Sequence, residues 1–433
     1  MTQKMLLKRG FLLVALLTTA LCAQEIPQAP PSTVDSAAEV EAVEIEVHRE
    51  GTLERGGEVN PGNTLHVPRD LNAKYHNLFN DSLFIKAGGF LQVDALGDFG
   101  TRGNPTSMAP SQLGEDVTTA GFMALGEDAR LNFRRSRLYA DFYTPYPELL
   151  NGVRAYVEAD FSGTNGDVNI RHAFVALPYL ILGRTNSAFK DPSAEPETVD
   201  NQGPNSEFGN RQQGVRVVIP LGEDRLAVAI EDPSAAISPS GSDLSDDGLD
   251  RRLDYAGHYR HNEDWGHFQL SLLRRDLSLS NPGFSEVTSI KGWGFGLSGQ
   301  IFRDGKDNFQ FEAAAGPGIG RYLNDLGGTR SELGVTASGE VQAQWAWGGF
   351  VAYQHWFDDE TRLNAYLSTV RVNLLDGQPD SALRAGYKGS VNVMRDLSEH
   401  LRVGLEYIHA LSVNKDGTHL QGGRLQFMVR YGF

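Results

Sequence analysis

Residues 420–433 read Leu-Gln-Gly-Gly-Arg-Leu-Gln-Phe-Met-Val-Arg-Tyr-Gly-Phe. From Leu425 onward every second residue is large and apolar: Leu425, Phe427, Val429, Tyr431 and Phe433. In an extended chain, residues two apart share a face, so this strand has one continuously apolar side ending on a terminal Phe. Left as the edge of a soluble sheet, such a row invites aggregation. A closed transmembrane barrel removes the edge and turns the row toward lipid.

The same period of two runs upstream. Val153, Ala155, Val157, Ala159 and Phe161 alternate with Arg154, Tyr156, Glu158 and Asp160; Ile85, Ala87, Leu91, Val93 and Ala95 alternate with Lys86, Gln92 and Asp94. Val215, Val217 and Ile219 oppose Arg216, and Leu383, Ala385, Tyr387, Val391 and Val393 oppose Arg384, Lys388 and Asn392. Lipid on one side and water on the other accounts for both faces. Alternating segments begin near residues 83, 131, 152, 169, 180, 213, 225, 252, 266, 290, 307, 339, 361, 382, 400 and 420. Their number is even, as a single-chain bacterial barrel requires. Tight turns, as at Pro178–Tyr179, Gly222–Asp224 and Asp358–Glu360, alternate with the longer polar stretches 97–129, 190–211, 232–250 and 316–337. The predicted fold is all-β: a 16-stranded antiparallel transmembrane β-barrel over residues 82–433, with short periplasmic turns and longer loops that are extracellular or folded into the lumen.

Composition agrees. Mean hydropathy is −0.33 with 48 glycines, and beyond the first 25 residues no apolar run approaches the roughly 20 residues a membrane helix needs. A net charge of −16 opposes general nucleic-acid binding. Residues 1–23 carry Lys4, Lys8 and Arg9, an apolar run from Phe11 to Leu17, then small residues, and so read as a secretory signal peptide cleaved after Ala20, Cys22 or Ala23. Acylation of Cys22 is disfavoured by Leu21 beside it, and with that one cysteine in the signal the mature chain has no thiol chemistry. Residues 24–81, acidic and rich in Pro and Ala, read as a partly disordered periplasmic extension without coiled-coil heptads, although Val43, Ile45 and Val47 alternate.

No catalytic, metal or cofactor motif stands out. Gly294–Gly299 matches a dinucleotide fingerprint literally, but it lies within an alternating strand, where small lumen-facing residues explain it better. His258, His261 and His267 lack the spacing of a metal site and are expected to be solvated residues of a turn. G-x-S-x-G and H-E-x-x-H are absent, which gives an enzyme no support. Arginines recur instead. Arg134, Arg135 and Arg137 are expected to cluster on one strand, and Arg154, Arg171, Arg184, Arg211 and Arg216 follow at strand positions or strand ends, opposed by Asp141, Glu158, Asp160 and Asp191. Inside a pore such charges bias ion passage; equally, they pair across strands and hold the wall in shape.

The stretches Arg134–Phe142, Val153–Phe161, Arg171–Phe174, Gly183–Asp191 and Gly209–Arg216 resemble the DcaP-like outer-membrane porins. The resemblance implies a homotrimeric porin of the Gram-negative outer membrane that passes small anionic solutes such as dicarboxylates. It makes Arg135, Arg137, Arg154, Arg171, Arg184, Arg211 and Arg216 candidate pore-lining residues, and 190–211 a candidate constriction loop. The ending Phe427, Val429, Tyr431 and Phe433 resembles the signal by which the barrel-assembly machinery receives outer-membrane proteins. Other readings are a porin selective for phosphate, marked by a ladder of Lys and Arg, or for carbohydrate, marked by stacked aromatics, and a non-conducting structural or adhesive barrel plugged by its loops.

Overall fold

The computed structural model describes residues 75–79, 82–104, 106–114, 123–124, 129–146, 152–163, 166–232, 252–280, 287–303 and 306–433. The expected signal peptide and most of the expected extension lie outside the described residues.

Sixteen strands follow one another around the wall, each antiparallel to its neighbours. They are β1 Leu83–Gly100, β2 in two pieces (Ala129–Asn132 and Arg137–Thr144), β3 Val153–Asp160, β4 Asn169–Leu177, β5 Leu180–Asn186, β6 Arg211–Leu221, β7 Asp224–Glu231 and β8 Asp254–Glu263. Then come β9 Gly266–Ser280, β10 Val287–Phe302, β11 Asn308–Pro317, β12 Trp345–Trp356, β13 Thr361–Val372, β14 Leu383–Asp396, β15 Leu401–Asn414 and β16 His419–Gly432. β16 pairs with β1 from Phe90↔Gly432 to Gly100↔Gly422, which closes the sheet. Below that seam His76–Leu78, which sequence reading assigns to the extension, continues the sheet by pairing with Leu83–Ile85.

Burial is inverted relative to a soluble protein. Along β3, Val157 is 42% exposed, whereas Tyr156 and Glu158 on either side are 0% and 2% exposed. Leu425, Phe427, Val429 and Tyr431 are likewise exposed, and Arg424, Gln426 and Met428 between them are buried. An apolar exterior around a polar interior is stable where the exterior solvent is hydrocarbon. Outward aromatic residues form two girdles on the later strands: Tyr255, Trp293, Trp345 and Trp347 near the long loops, and Trp265, Phe309, Tyr353 and Tyr431 near the short turns. Their amphipathic rings suit the two lipid–water boundaries.

Two expected strands start elsewhere. The segment expected near 131 is broken at 133–136, so Arg134 and Arg135 occupy a turn between the two pieces of β2 and do not share a strand with Arg137. The segment expected near 339 is the second arm of a small loop hairpin, Val341–Ala343 against Leu333–Val335, and wall strand β12 begins at Trp345. A short alternating run has the same period in a loop hairpin as in a wall strand.

A charge on the outer face should be costly in proportion to its depth. Val351→Arg, at an exposed mid-strand position of β12, is expected to lower folding stability in lipid vesicles by about 2–4 kcal/mol. Glu340→Arg, on an exposed loop, is expected to be neutral in the same urea titration.

Candidate functional site

The segment 187–210, between β5 and β6, turns into the barrel and is fastened to inward-facing side chains nearly all the way round. It enters where the Glu231 carboxylate accepts hydrogen bonds from the Ser187 hydroxyl (2.7 Å) and the Ala188 N–H (2.6 Å). Asp191 then accepts from Arg260 of β8 (3.0 Å), His267 of β9 (2.8 Å) and Ser298 of β10 (2.8 Å), and caps the turn Pro192–Ala194 through the Ser193 N–H. Glu197 grips Arg362 of β13 (2.5 and 2.8 Å) and Arg402 of β15 (2.7 Å). Glu406 of β15 accepts from the Val199 and Asp200 N–H groups (2.5 and 2.6 Å), while Lys388 of β14 donates to Asp200 (2.6 Å). Every one of these charges has a partner, as burial demands.

Beside this polar strapping lies a dry region. Phe189 and Phe208 of the same segment lie with ring centres 4.9 Å apart, tilted at 54°, and pack with Ile319, Tyr322, Leu323 and Leu326 from the β11–β12 loop. The wall facing them is built small, with Ala229, Ala256, Ala314 and Ala346. Gly294 and Gly296 belong to it: a Cβ on Gly296 would sit 2.9 Å from the Phe208 ring, and one on Gly294 would sit 2.8 Å from Ile319. The fingerprint-like glycines therefore make room for a loop. On the same wall an amide ladder runs around the short-turn ends of five strands, from Gln300 to Asn308, Gln354, Asn364 and Asn392, and ends on the Glu197 carbonyl.

The arginines singled out from sequence separate into three groups. Arg154, Arg171, Arg137 and Arg216 face the lumen. Arg154 binds Asp141 in a two-pronged fashion (2.8 and 2.7 Å), Arg171 bridges Glu158 and Asp160 (both 2.8 Å), Arg137 lies 3.6 Å from Glu158, and Arg216 donates to the Asn186 carbonyl. A register shift at Glu158/Ala159 is what brings Arg171 and His172 both inward. Arg135 and Arg211 sit at strand breaks or ends: Arg135 donates to the Thr198 and Val199 carbonyls of the inserted loop, and Arg211 contacts His172. Arg184 departs from the expectation. It pairs with outward-facing Ala173 and Gln213, shares a face with Leu182 and donates to the Ile170 carbonyl. It belongs to the outer face, because the β5 alternation puts Thr185 inside.

The histidines also depart from the solvated reading. His267 is buried against Asp191, and His258 is buried 2.6 Å from the Ala188 carbonyl; His261 alone of the three is substantially exposed. The expectation also confined the basic wall to the first half of the chain, whereas Arg260, Arg275, Arg362, Lys388, Arg402, Arg424 and Arg430 extend it around the rest of the circumference. All but Arg275, which stands between inward Leu273 and Leu277, sit on the polar phase of an alternating strand, and that phase was the signal available for finding them.

No protein-family model matches the chain, and no curated protein sequence matches it. Solved structures do. The crystal structure of the outer-membrane channel DcaP of Acinetobacter baumannii aligns with a TM-score of 0.69 at 18% identity, over 82% of this chain and 99% of that one. In fold, this chain is a DcaP-like barrel. The loop L8 deletion mutant of OmpT, an outer-membrane protein of Vibrio cholerae, aligns at 0.52 with 12% identity over 82% of this chain and 100% of its own. OmpF of Salmonella typhi, in complex with daunomycin, aligns at 0.52 with 9% identity over 83% and 100%. The likeness shows the sixteen-stranded porin architecture, and the inverted burial fits an exterior in contact with the hydrocarbon of a membrane.

Burial alone would push the Asp191 carboxyl up, but His267 and Arg260 outweigh it and hold the group well below the usual carboxylate range. A depressed pKa means stability that is present above the ordinary value of about 4 and is lost only as pH falls well below it. Asp191→Asn leaves Arg260 and His267 buried without their counter-charge, at a cost of roughly 3–5 kcal/mol to loop anchoring. Limited proteolysis of the folded barrel at neutral pH is expected to nick 187–210 in the variant and spare the parent.

Proposed function

We propose that the barrel is a passive diffusion channel for small anionic solutes such as dicarboxylates, narrowed by the 187–210 loop and operating without a chemical step. One arrangement carries the reading. Two pairs of inward arginines stand directly opposite one another across neighbouring strands, Arg225↔Arg260 on β7 and β8, and Arg402↔Arg430 on β15 and β16. Like charges so placed destabilise a sheet. The loop supplies one carboxylate to each pair, Asp191 at Arg260 and Glu197 at Arg402; Asp396 also pairs with Arg402, but Arg362 shares both Glu197 and Asp396, so each cluster keeps more guanidinium than carboxylate. Cations fixed to the wall and acids carried on the loop create a transverse field that favours anions, and planar guanidinium groups suit carboxylates. Inward rings are covered: Phe189, Phe208 and Tyr322 in the dry region, Tyr156 and Phe174 in a cluster on the β3–β7 wall, Phe350 and Tyr366 in another on β12 and β13, and Phe90 beneath Arg137 and Arg430, which supports the anion reading over a sugar-stacking one.

The homotrimer is part of the same proposal. Strands β3, β4, β5 and β7 have 8, 9, 7 and 8 residues, against 15 in β9 and 16 in β10. A tilted membrane strand needs about 9–11. The outward residues of this low wall are aliphatic, such as Val157, Val175, Val217 and Val228; Tyr179 in the β4–β5 turn is the one exposed ring of β3–β7 and the short turns between them among the described residues, and Arg184 and Gln213 lie among the aliphatic residues. A sector that is short, carries a single ring at one boundary and holds an arginine suits contact with another copy of the chain better than contact with lipid.

In a planar bilayer under a salt gradient, the purified protein is expected to show an anion-selective reversal potential. Selectivity should fall in Arg154→Ser/Arg216→Ser, the more so because Asp141 then loses its partner. A cation-selective reversal potential would refute the anion reading, and folded protein without conductance would refute the channel.

A further inference from the structure

The inward arginines Arg154, Arg171, Arg275, Arg362, Arg402 and Arg424 each have a carboxylate within ion-pair distance. Arg430 is different. Its Nε donates to the neutral Oε1 of Gln92 (2.9 Å), its register partner on β1, and among the described residues no carboxylate lies within ion-pair distance of it, Glu197 and Asp94 acting on it from further off. Its other register partner is Arg402, whose charge Glu197 and Asp396 already share. Arg135, Arg137 and Arg402 are its cationic neighbours. The guanidinium lies 4.4 Å from the centre of the Phe90 ring, which also carries Arg137 at 5.5 Å. Arg430 is half-buried, and its two Nη groups make no hydrogen bond to a described residue.

We infer that Arg430, braced by Phe90 and Gln92 and backed by Arg402, is a seat for a solute oxyanion at the seam between β16 and β1. This rests on the reading of the barrel as a channel for small anions, and it names where on the wall such a solute pauses. The two Nη groups form the fork that matches a carboxylate or phosphate edge. Stacking on Phe90 and the Nε bond to Gln92 hold that fork in place before the ligand arrives, which reduces the ordering cost of binding. An arriving anion also gives Arg430 the ion-paired counter-charge that Arg402 already has in Glu197 and Asp396. Partial exposure allows release, which a channel requires.

The test has two arms. Succinate and inorganic phosphate are titrated calorimetrically against the detergent-folded protein, and succinate block of single-channel current is measured in potassium chloride. Arg430→Gln is expected to weaken oxyanion binding and block about tenfold, with chloride conductance kept within about twofold. Arg430→Lys, which keeps the charge but loses the fork, should weaken them severalfold. Unchanged succinate and phosphate affinity in both variants would overturn the seat. Should Arg430→Gln fail to give the folded, heat-modifiable barrel, Arg430→Lys alone decides, and parental affinity in it would likewise overturn the proposal. A cation-selective parent that still binds succinate through Arg430 would refute the anion-channel reading and leave the seat standing.

Discussion

The pairing of β1 with β16 is the contact on which everything else in this chain depends. In hydrocarbon an unpaired strand edge leaves backbone N–H and C=O groups with nothing to bond, at several kcal/mol each, so a sheet in a membrane has to close. Residues 90–100 supply one side of that closure and 422–432 the other, more than 320 residues apart in the chain. Where β16 runs out, the Gly89 N–H still reaches the Phe433 carbonyl at 3.1 Å, and His76–Leu78 covers the stretch of β1 beyond. Tyr75 then donates to Asp141 on the lumen face at 2.8 Å, which links the segment ahead of the barrel to the β2–β3 wall.

Closure creates a second problem, because it encloses the polar face of every strand. The 187–210 segment answers much of it by carrying carboxylates and carbonyls to the wall at the heights where arginine, lysine and amide groups point inward. The answer is selective. Across the Ala- and Gly-lined part of the wall the same segment turns phenylalanines outward and packs as an ordinary protein core. One loop thus divides the lumen into a dry, packed side and a charged side. Its position is overdetermined, and the charges near it are held in place by bonds on several strands at once.

Overdetermination matters for transport, since a charge held by its surroundings acts on a passing ion without first rearranging. Asp141, Glu158 and Asp160 almost neutralise their arginines, so the β2–β4 wall contributes shape more than field. The opposed arginine pairs on β7/β8 and β15/β16 are where neutralisation is incomplete. They flank the loop at the short-turn ends of the strands, where a solute would meet them in the channel proposed above.

Period-two alternation determined the fold by itself. It places Val157 outside and Glu158 inside without any knowledge of neighbours, because the two faces of each strand meet different solvents. It also marked most strand starts and the small lumen face at Gly294 and Gly296. Which lumen charges pair, and which are left over, only the tertiary structure decided. Arg184 moved to the outer face because β5 is short and its phase is set by pairing with Ala173 and Gln213. Arg135 left the wall because β2 breaks beside it. His258 and His267 became buried anchors because a loop folded back onto them, and Arg430 stands opposite Arg402 because barrel register, set by hydrogen bonds between distant segments, put it there. Alternation is local and readable along the chain; register across a closed sheet is not, since it depends on the sum of all sixteen pairings.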